Sequence, residues 1–144
     1  MSLHVGLTED LATCLALRRV VFIEEQSVPE AEEQDGRDGD ALHLLAKKDG
    51  EAVGCARILV KGSTGKIGRV CVLQDFRGQG IGIALIEAAI EVLRDLPEVS
   101  HARLGAQTHA LGFYEKLGFE AIGPEYLEAG IVHRDMQRDL RESR

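Results

Sequence analysis

The sequence predicts an α/β (α+β) fold, with helices on both faces of a mixed, mostly antiparallel sheet. Two observations carry that prediction. Asp49-Gly50 lies between two apolar runs, a two-residue hairpin signal that makes the flanking strands antiparallel. The elements then follow one another as β-α-loop-β-β-β-α-β-α-β-β, which is not the strict alternation of a parallel sheet.

Leu3 to Leu7 reads as an edge strand. Thr8 is placed to cap a helix, with Asp10 in its first turn. Leu11, Leu15, Arg18 and Phe22 recur at helical spacing, and the helix should end near Glu25, ahead of Pro29. Residues 24–40 hold Glu24, Glu25, Glu30, Glu32, Glu33, Asp35, Asp38 and Asp40, with Gly36 and Gly39 breaking any helix. That segment reads as a turn or short helix followed by a loop, its acids from Glu30 to Asp38 facing solvent. Ala41–Lys47 and Glu51–Val60 form the predicted hairpin, Gly62-Ser63-Thr64-Gly65 turns again, and Lys66–Leu73 is the fourth strand. On it, Arg69 and Cys71 share one face and Val70 and Val72 the other. Beyond the glycine-rich turn, Ile81, Leu85, Ala88, Val92 and Leu96 form an amphipathic stripe ended by Pro97. His101–Ala106 is the fifth strand, and Ala110–Leu117 a helix stopped by Gly118 in a left-handed cap. Phe119–Ile122 and Ile131–Gln137 are the last strands, with a Gly/Pro/acid-rich loop between them.

The 144 residues suit a single domain over 1–144, able to bury a core without a disulfide or a metal. With 17 basic and 24 acidic residues the net charge is −7, which argues against nucleic acid as a partner. Cys14, Cys55 and Cys71 are odd in number and widely spaced, so neither a zinc site nor a disulfide framework is expected. Asp35-Gly36-Arg37-Asp38-Gly39-Asp40 lacks calcium-loop spacing, and no metal is predicted. No leader and no membrane-spanning run is visible, so the expected location is the cytoplasm, away from any membrane.

The chemistry concentrates in Arg77-Gly78-Gln79-Gly80-Ile81-Gly82, between a strand and a helix. A helix start offers unpaired N–H groups and a partial positive charge, which together bind phosphate. The glycines let the backbone approach a diphosphate, and Arg77 adds a charged fork. A Walker loop would need Gly-Lys-Ser/Thr, and a dinucleotide fold would place its glycines after the first strand. Neither fits this mid-chain position. A purely structural turn and a different nucleotide ligand are the competing readings.

This motif resembles the Arg/Gln-x-x-Gly-x-Gly/Ala signature of the GNAT superfamily of N-acetyltransferases. Ala110-Leu111-Gly112-Phe113-Tyr114-Glu115-Lys116-Leu117-Gly118-Phe119 resembles that superfamily's second motif. The resemblance covers nearly the whole chain and extends to the ElaA-like and YjcF-like branch. There, runs like 21–29 (VFIEEQSVP), 104–110 (LGAQTHA) and 128–133 (EAGIVH) recur. One departure is Gln107-Thr108-His109, where many members carry an asparagine.

The resemblance implies a sheet splayed near its fourth and fifth strands, and an acetyl-coenzyme A-dependent N-acetyltransferase. The acceptor would be a primary amine, expected to be a small molecule, attacking directly in a ternary complex. A peptide amine, or a non-catalytic coenzyme A sensor, are the alternatives. Val70, Cys71, Val72 and Leu73 would carry the pantetheine arm, with backbone pairing through Cys71 and Leu73. Residues 77–82 would hold the diphosphate, with Phe113, Tyr114 and Lys116 nearby. A strand N–H would steady the acetyl oxygen. Tyr114 is the candidate acid for the leaving thiolate, with a packing aromatic as its alternative. His133 is the candidate base because its ordinary pKa lies nearest neutrality, with Glu25 and Glu128 as rivals. Arg69, Gln26, Glu25, Gln107 and Glu128 are the candidate acceptor-side residues. Arg69, in an otherwise apolar strand, needs a partner in any case. Cys71 is read as inert core, not as a nucleophile. Dimers are common among such proteins, so a homodimer is also an expectation.

Overall fold

The computed structural model describes residues 2–141; Met1 and 142–144, at the ends of the expected domain, lie outside the described residues. Seven strands form one sheet in the order β1-β2-β3-β4-β5-β7-β6. They are β1 (Leu3–Thr8), β2 (Leu42–Lys48), β3 (Glu51–Lys61), β4 (Thr64–Val72), β5 (His101–Gln107), β6 (Glu120–Glu128) and β7 (Ile131–Asp139). Only β4 and β5 run parallel, so the sheet is mixed and mostly antiparallel, with helices flanking it.

Asp10, not Thr8, caps α1 (Leu11–Arg18): its carboxylate accepts from Thr13 N at 3.2 Å, while Thr8 Oγ1 accepts from Asp10 N. The helix does not run on as an α-helix to Glu25. Arg19–Glu25 widens into a π-helical segment, in which Gln26 N–H reaches back five residues to Val21 O at 3.1 Å. Phe22 and Gln26 from this turn line a cleft together with residues of the last strands. After a one-turn α2 (Glu30–Glu33), the chain enters β2.

The hairpin at Asp49-Gly50 is present, with both residues at positive φ. The next turn is tighter than expected, because Thr64 and Gly65 already belong to β4. Gly65 has no side chain for a packing reason: a Cβ there would run into the Leu93 side chain. Leu93 belongs to α3 (Ile81–Arg94), whose buried face is Ile81, Leu85, Ile86, Ala89, Ile90 and Leu93. The expected stripe is therefore rotated: Ala88, Val92 and Leu96 only flank the core, because the covered surface is broader than one row. Burying Leu93 completely contributes about 2 kcal/mol.

α1 closes a second, smaller cluster in which Cys14, Cys55 and Cys71 meet Leu17, Val21 and Leu45. α4 (Leu111–Glu115) is shorter than expected and ends through Gly118 at φ +89. The largest difference lies at the C-terminal hairpin. β6 continues to Glu128, through a register shift between Ile122 and Tyr126 that absorbs Gly123-Pro124. What reads as a loop is strand, and β7 lies between β5 and β6. No helix among the described residues is long and apolar enough to cross a membrane.

Candidate active site

β4 and β5 pair only over Thr64–Lys66 and His101–Arg103. Beyond Lys66 they separate, and the edge of β4 facing β5 is left open. This is the expected splay. Leu73 N–H donates to Val53 O on β3 at 2.9 Å. By the alternation of an antiparallel pair, Leu73 and Cys71 then point their backbone groups toward β3. Val70 and Val72 therefore carry the open edge, correcting the expectation that Cys71 and Leu73 would. Cys71 Sγ lies 3.5 Å from Cys55 Sγ inside the α1 cluster. Contacts to Cys14 and Cys71, together with burial, push the Cys55 thiol far above its ordinary value. The trio is a set of buried thiols.

The open edge runs into the glycine-rich turn. Gly78 and Gly80 sit at φ +78 and +83, and Gly80 caps α3 with no side chain. Ala84 N–H closes the first helical bond on Gly80 O at 3.0 Å, so the amides from Gly80 to Ile83 have no helical partner. A cavity of about 490 Å³ lies here, lined by Val70, Val72, Gly78, Gly80, Gly82 and, from α4, Phe113. Uncapped amides, no obstructing Cβ and a strand edge left unpaired by β5 fit a diphosphate with an extended arm.

Not every expected residue faces this groove. Gln79 turns its amide to the Lys48 ammonium, and Lys116 is exposed and lines neither cavity. Arg77 lies across the groove: Nε donates to Val72 O at 2.9 Å, and its two terminal nitrogens bond Glu25 at 2.6 and 2.7 Å. These bonds hold the Glu25 carboxyl below its ordinary range.

A larger cleft of about 840 Å³ adjoins the groove, and Gln26 and Val70 line both. Tyr114, His133, Glu128, Gln107 and Arg69 all line it, but Glu25 does not. Tyr114 packs edge-on against Phe113 and Phe119, and burial pushes its phenol up. Its hydroxyl bonds no other described residue. His133 is 8% exposed. Its Nδ1 lies 2.8 Å from Ile131 O, which can only accept, so Nδ1 carries the proton. Nε2 lies 3.7 Å from the Glu128 carboxylate. Gln107, opposite His133 on β5, accepts from His109 Nε2 at 2.7 Å.

Arg69 adopts φ +51 at a bulge in β4 and is not free. It donates to Glu33 Oε2 at 2.7 Å and to the Glu33 carbonyl at 3.0 Å. Arg18 donates to Glu33 and Asp38, and Arg57 to Asp35 and Asp38. Glu33, expected to be solvated, is 3% exposed. The acidic segment is thus clamped over β3 and β4 by Arg18, Arg57 and Arg69, and forms the cleft's outer wall. The hydrogen bond from Arg57 holds the Asp35 carboxyl far below its usual range, against burial. The rule that sought a partner for Arg69 also applies to Arg18 on an apolar helix face and Arg57 in an apolar strand, and could have found this network. Among the described residues no cluster of metal ligands is present.

Comparison with known proteins gives the family and the fold. The family model described as "Acetyltransferase (GNAT) domain" matches residues 10–140. YjcF of Bacillus subtilis, described as an uncharacterized N-acetyltransferase, is 35% identical over 132 residues, covering 91% of this chain and 94% of that protein. ElaA of Escherichia coli is 36% identical over 135 residues, covering 90% of this chain and 88% of ElaA. An acyl-CoA N-acyltransferase structure from Pseudomonas aeruginosa superposes with a TM-score of 0.85 at 35% identity, covering 95% of this chain and 99% of that one.

Proposed function

The chain belongs to the GNAT family of acyl-CoA-dependent acetyltransferases, and from that premise we propose that it moves an acetyl group to the primary amine of a small molecule, by direct attack with both substrates bound. The observation that carries this reading is the junction at Val70 and Gln26. There the cofactor groove opens into a cleft holding one phenol and one imidazole suited to proton transfer. The cleft's volume falls in the range of small-molecule sites.

Acetyl-coenzyme A supplies an activated acyl carbon and a thiolate leaving group. The free amides from Gly80 to Ile83 would hold its diphosphate, and the Val70–Val72 edge its extended arm. Tyr114, kept protonated by burial, would donate to the sulfur as it leaves. His133 Nε2 would accept the proton of the attacking amine, and Glu128 then faces the imidazolium. Glu25 suits the base role poorly, because the Arg77 fork keeps it a weak proton acceptor. Gln26 would offer its amide to the acceptor, and Gln107 the amide nitrogen that His109 leaves free, whereas Arg69 shapes the wall through Glu33.

The test is a panel of alkylamines, amino acids, aminosugars and short peptides, followed by thiol release from acetyl-coenzyme A. A small amine should give turnover, and Tyr114→Phe should lower it about a hundredfold or more while leaving coenzyme A affinity in place. Turnover confined to peptides would overturn the acceptor class. An unchanged rate in the variant would remove Tyr114 as the acid.

A further inference from the structure

Tyr126 has no part in the proton transfers above, yet three contacts hold it in place. Its hydroxyl donates to Asp135 Oδ1 at 2.6 Å. Burial and that bond push its phenol well above the ordinary value, so it stays neutral. The same oxygen fills the space above Gly105, where a Cβ would come within 2.5 Å of it and 3.6 Å of Asp135 Oδ1. Its ring lies nearly parallel to the His133 imidazole, with centroids 5.9 Å apart and planes inclined by 20°. Tyr126 and His133 are register partners across β6 and β7, and Asp135 follows two residues along β7 on the same face.

We infer that Tyr126, anchored by Asp135 and admitted by Gly105, is a positioning residue that sets the ring plane and tautomer of His133. The inference rests on the reading of His133 as base and names the device that orients it. One hydrogen bond, Nδ1 to Ile131 O, would by itself leave the imidazole free to rock. The stacked phenol restrains the plane, so Nδ1 stays aimed at the carbonyl and Nε2 keeps the lone pair that accepts a proton. Once protonated, the ring gains from the phenol face and from Glu128. The Asp135 carboxylate lies two residues along β7 on the same face, bonded to the Tyr126 hydroxyl, and the ion-paired Glu33 and Arg69 line the cleft; Gln107 from β5, whose amide oxygen accepts from His109, and the Tyr114 phenol across the cleft are neutral. Gly105 is thereby explained as well, since a methyl group there would displace the hydroxyl from Asp135.

The test reads the ring ¹⁵N shifts of His133 by NMR, which need no acceptor, alongside kcat and KM for thiol release with one fixed amine from the panel. The parent should show two well-separated shifts in the neutral ring, the mark of a single tautomer. Tyr126→Ala should bring them together and lower kcat by about tenfold to a hundredfold, with KM for acetyl-coenzyme A little changed. Tyr126→Phe and Gly105→Ala, which free the ring from its anchor, should fall between; Gly105→Ala carries the test if Tyr126→Ala does not fold. Asp135→Asn, whose amide oxygen still accepts the phenol proton, should match the parent. Separated shifts and parental kcat in Tyr126→Ala would overturn the inference, as would mixed tautomers in the parent. His133→Ala is the separate control. If the acidic limb of its pH–rate profile survives, the base assignment fails, while the shift series still decides the positioning role.

Discussion

Replacing Glu25 with glutamine should make coenzyme A bind more tightly, although the change removes an ion pair. Arg77 holds Val72 O and both Glu25 oxygens, so it must release a carboxylate before it can serve a diphosphate on the same groove. The two side chains are 39% and 33% exposed, so the pair has the strength of a surface bridge, about 0.2–1 kcal/mol. Removing that competition should lower Kd by about 1.4- to 5-fold, as 1.4 kcal/mol corresponds to tenfold. Isothermal titration of coenzyme A into parent and Glu25→Gln at low ionic strength measures it, and salt should shrink the difference. In an Arg77→Ala background the gain should vanish, because the competing cation is gone. A Kd equal to or above the parent's at low salt would show that Arg77 is not recruited to the cofactor.

Further predictions concern the clamped acidic wall. Arg18→Ala leaves Glu33 buried without its main partner, so urea unfolding should show a loss of about 3–5 kcal/mol, with Tm down by roughly ten degrees. A loss below 1 kcal/mol, about one surface pair's worth, would mean the network holds nothing. Asp35 and Asp38 have folded-state pKa values below their unfolded ones. For Asp38, burial pushes the value up, but Arg18 and Arg57 outweigh it. Their contribution to stability is therefore fully present above about pH 4 and is lost as pH falls toward the folded values. Acid unfolding of the parent should steepen below about pH 4, and Arg57→Gln should flatten that slope. Equal slopes would refute the assignment.

Much of this architecture is legible in the residues. Each of the seven strands is visible as an apolar or alternating run, and the Asp49-Gly50 turn and Gly118 cap follow from local backbone chemistry. The order of the last strands is not legible, because β7 enters between β5 and β6 through tertiary pairing that leaves no local signature. Tyr126 escapes notice for a related reason. Gly123-Pro124 marks a loop in most contexts, but here it sits on a bulged edge strand, where a missing N–H costs no ladder bond. The glycine-rich turn is readable because phosphate binding needs bare amides, and bare amides need glycine. The cleft's outer wall is not, since acids 33, 35 and 38 look like a solvated loop until three distant arginines reach them.

The account depends above all on where the diphosphate sits. Titrating coenzyme A into uniformly ¹⁵N-labelled protein, and following the amide resonances, addresses that directly. The amides of Gly80, Ile81, Gly82 and Ile83 should shift most, with Val70 and Val72 following along the strand edge. Saturation that leaves these six resonances unmoved, while others respond, would contradict the account.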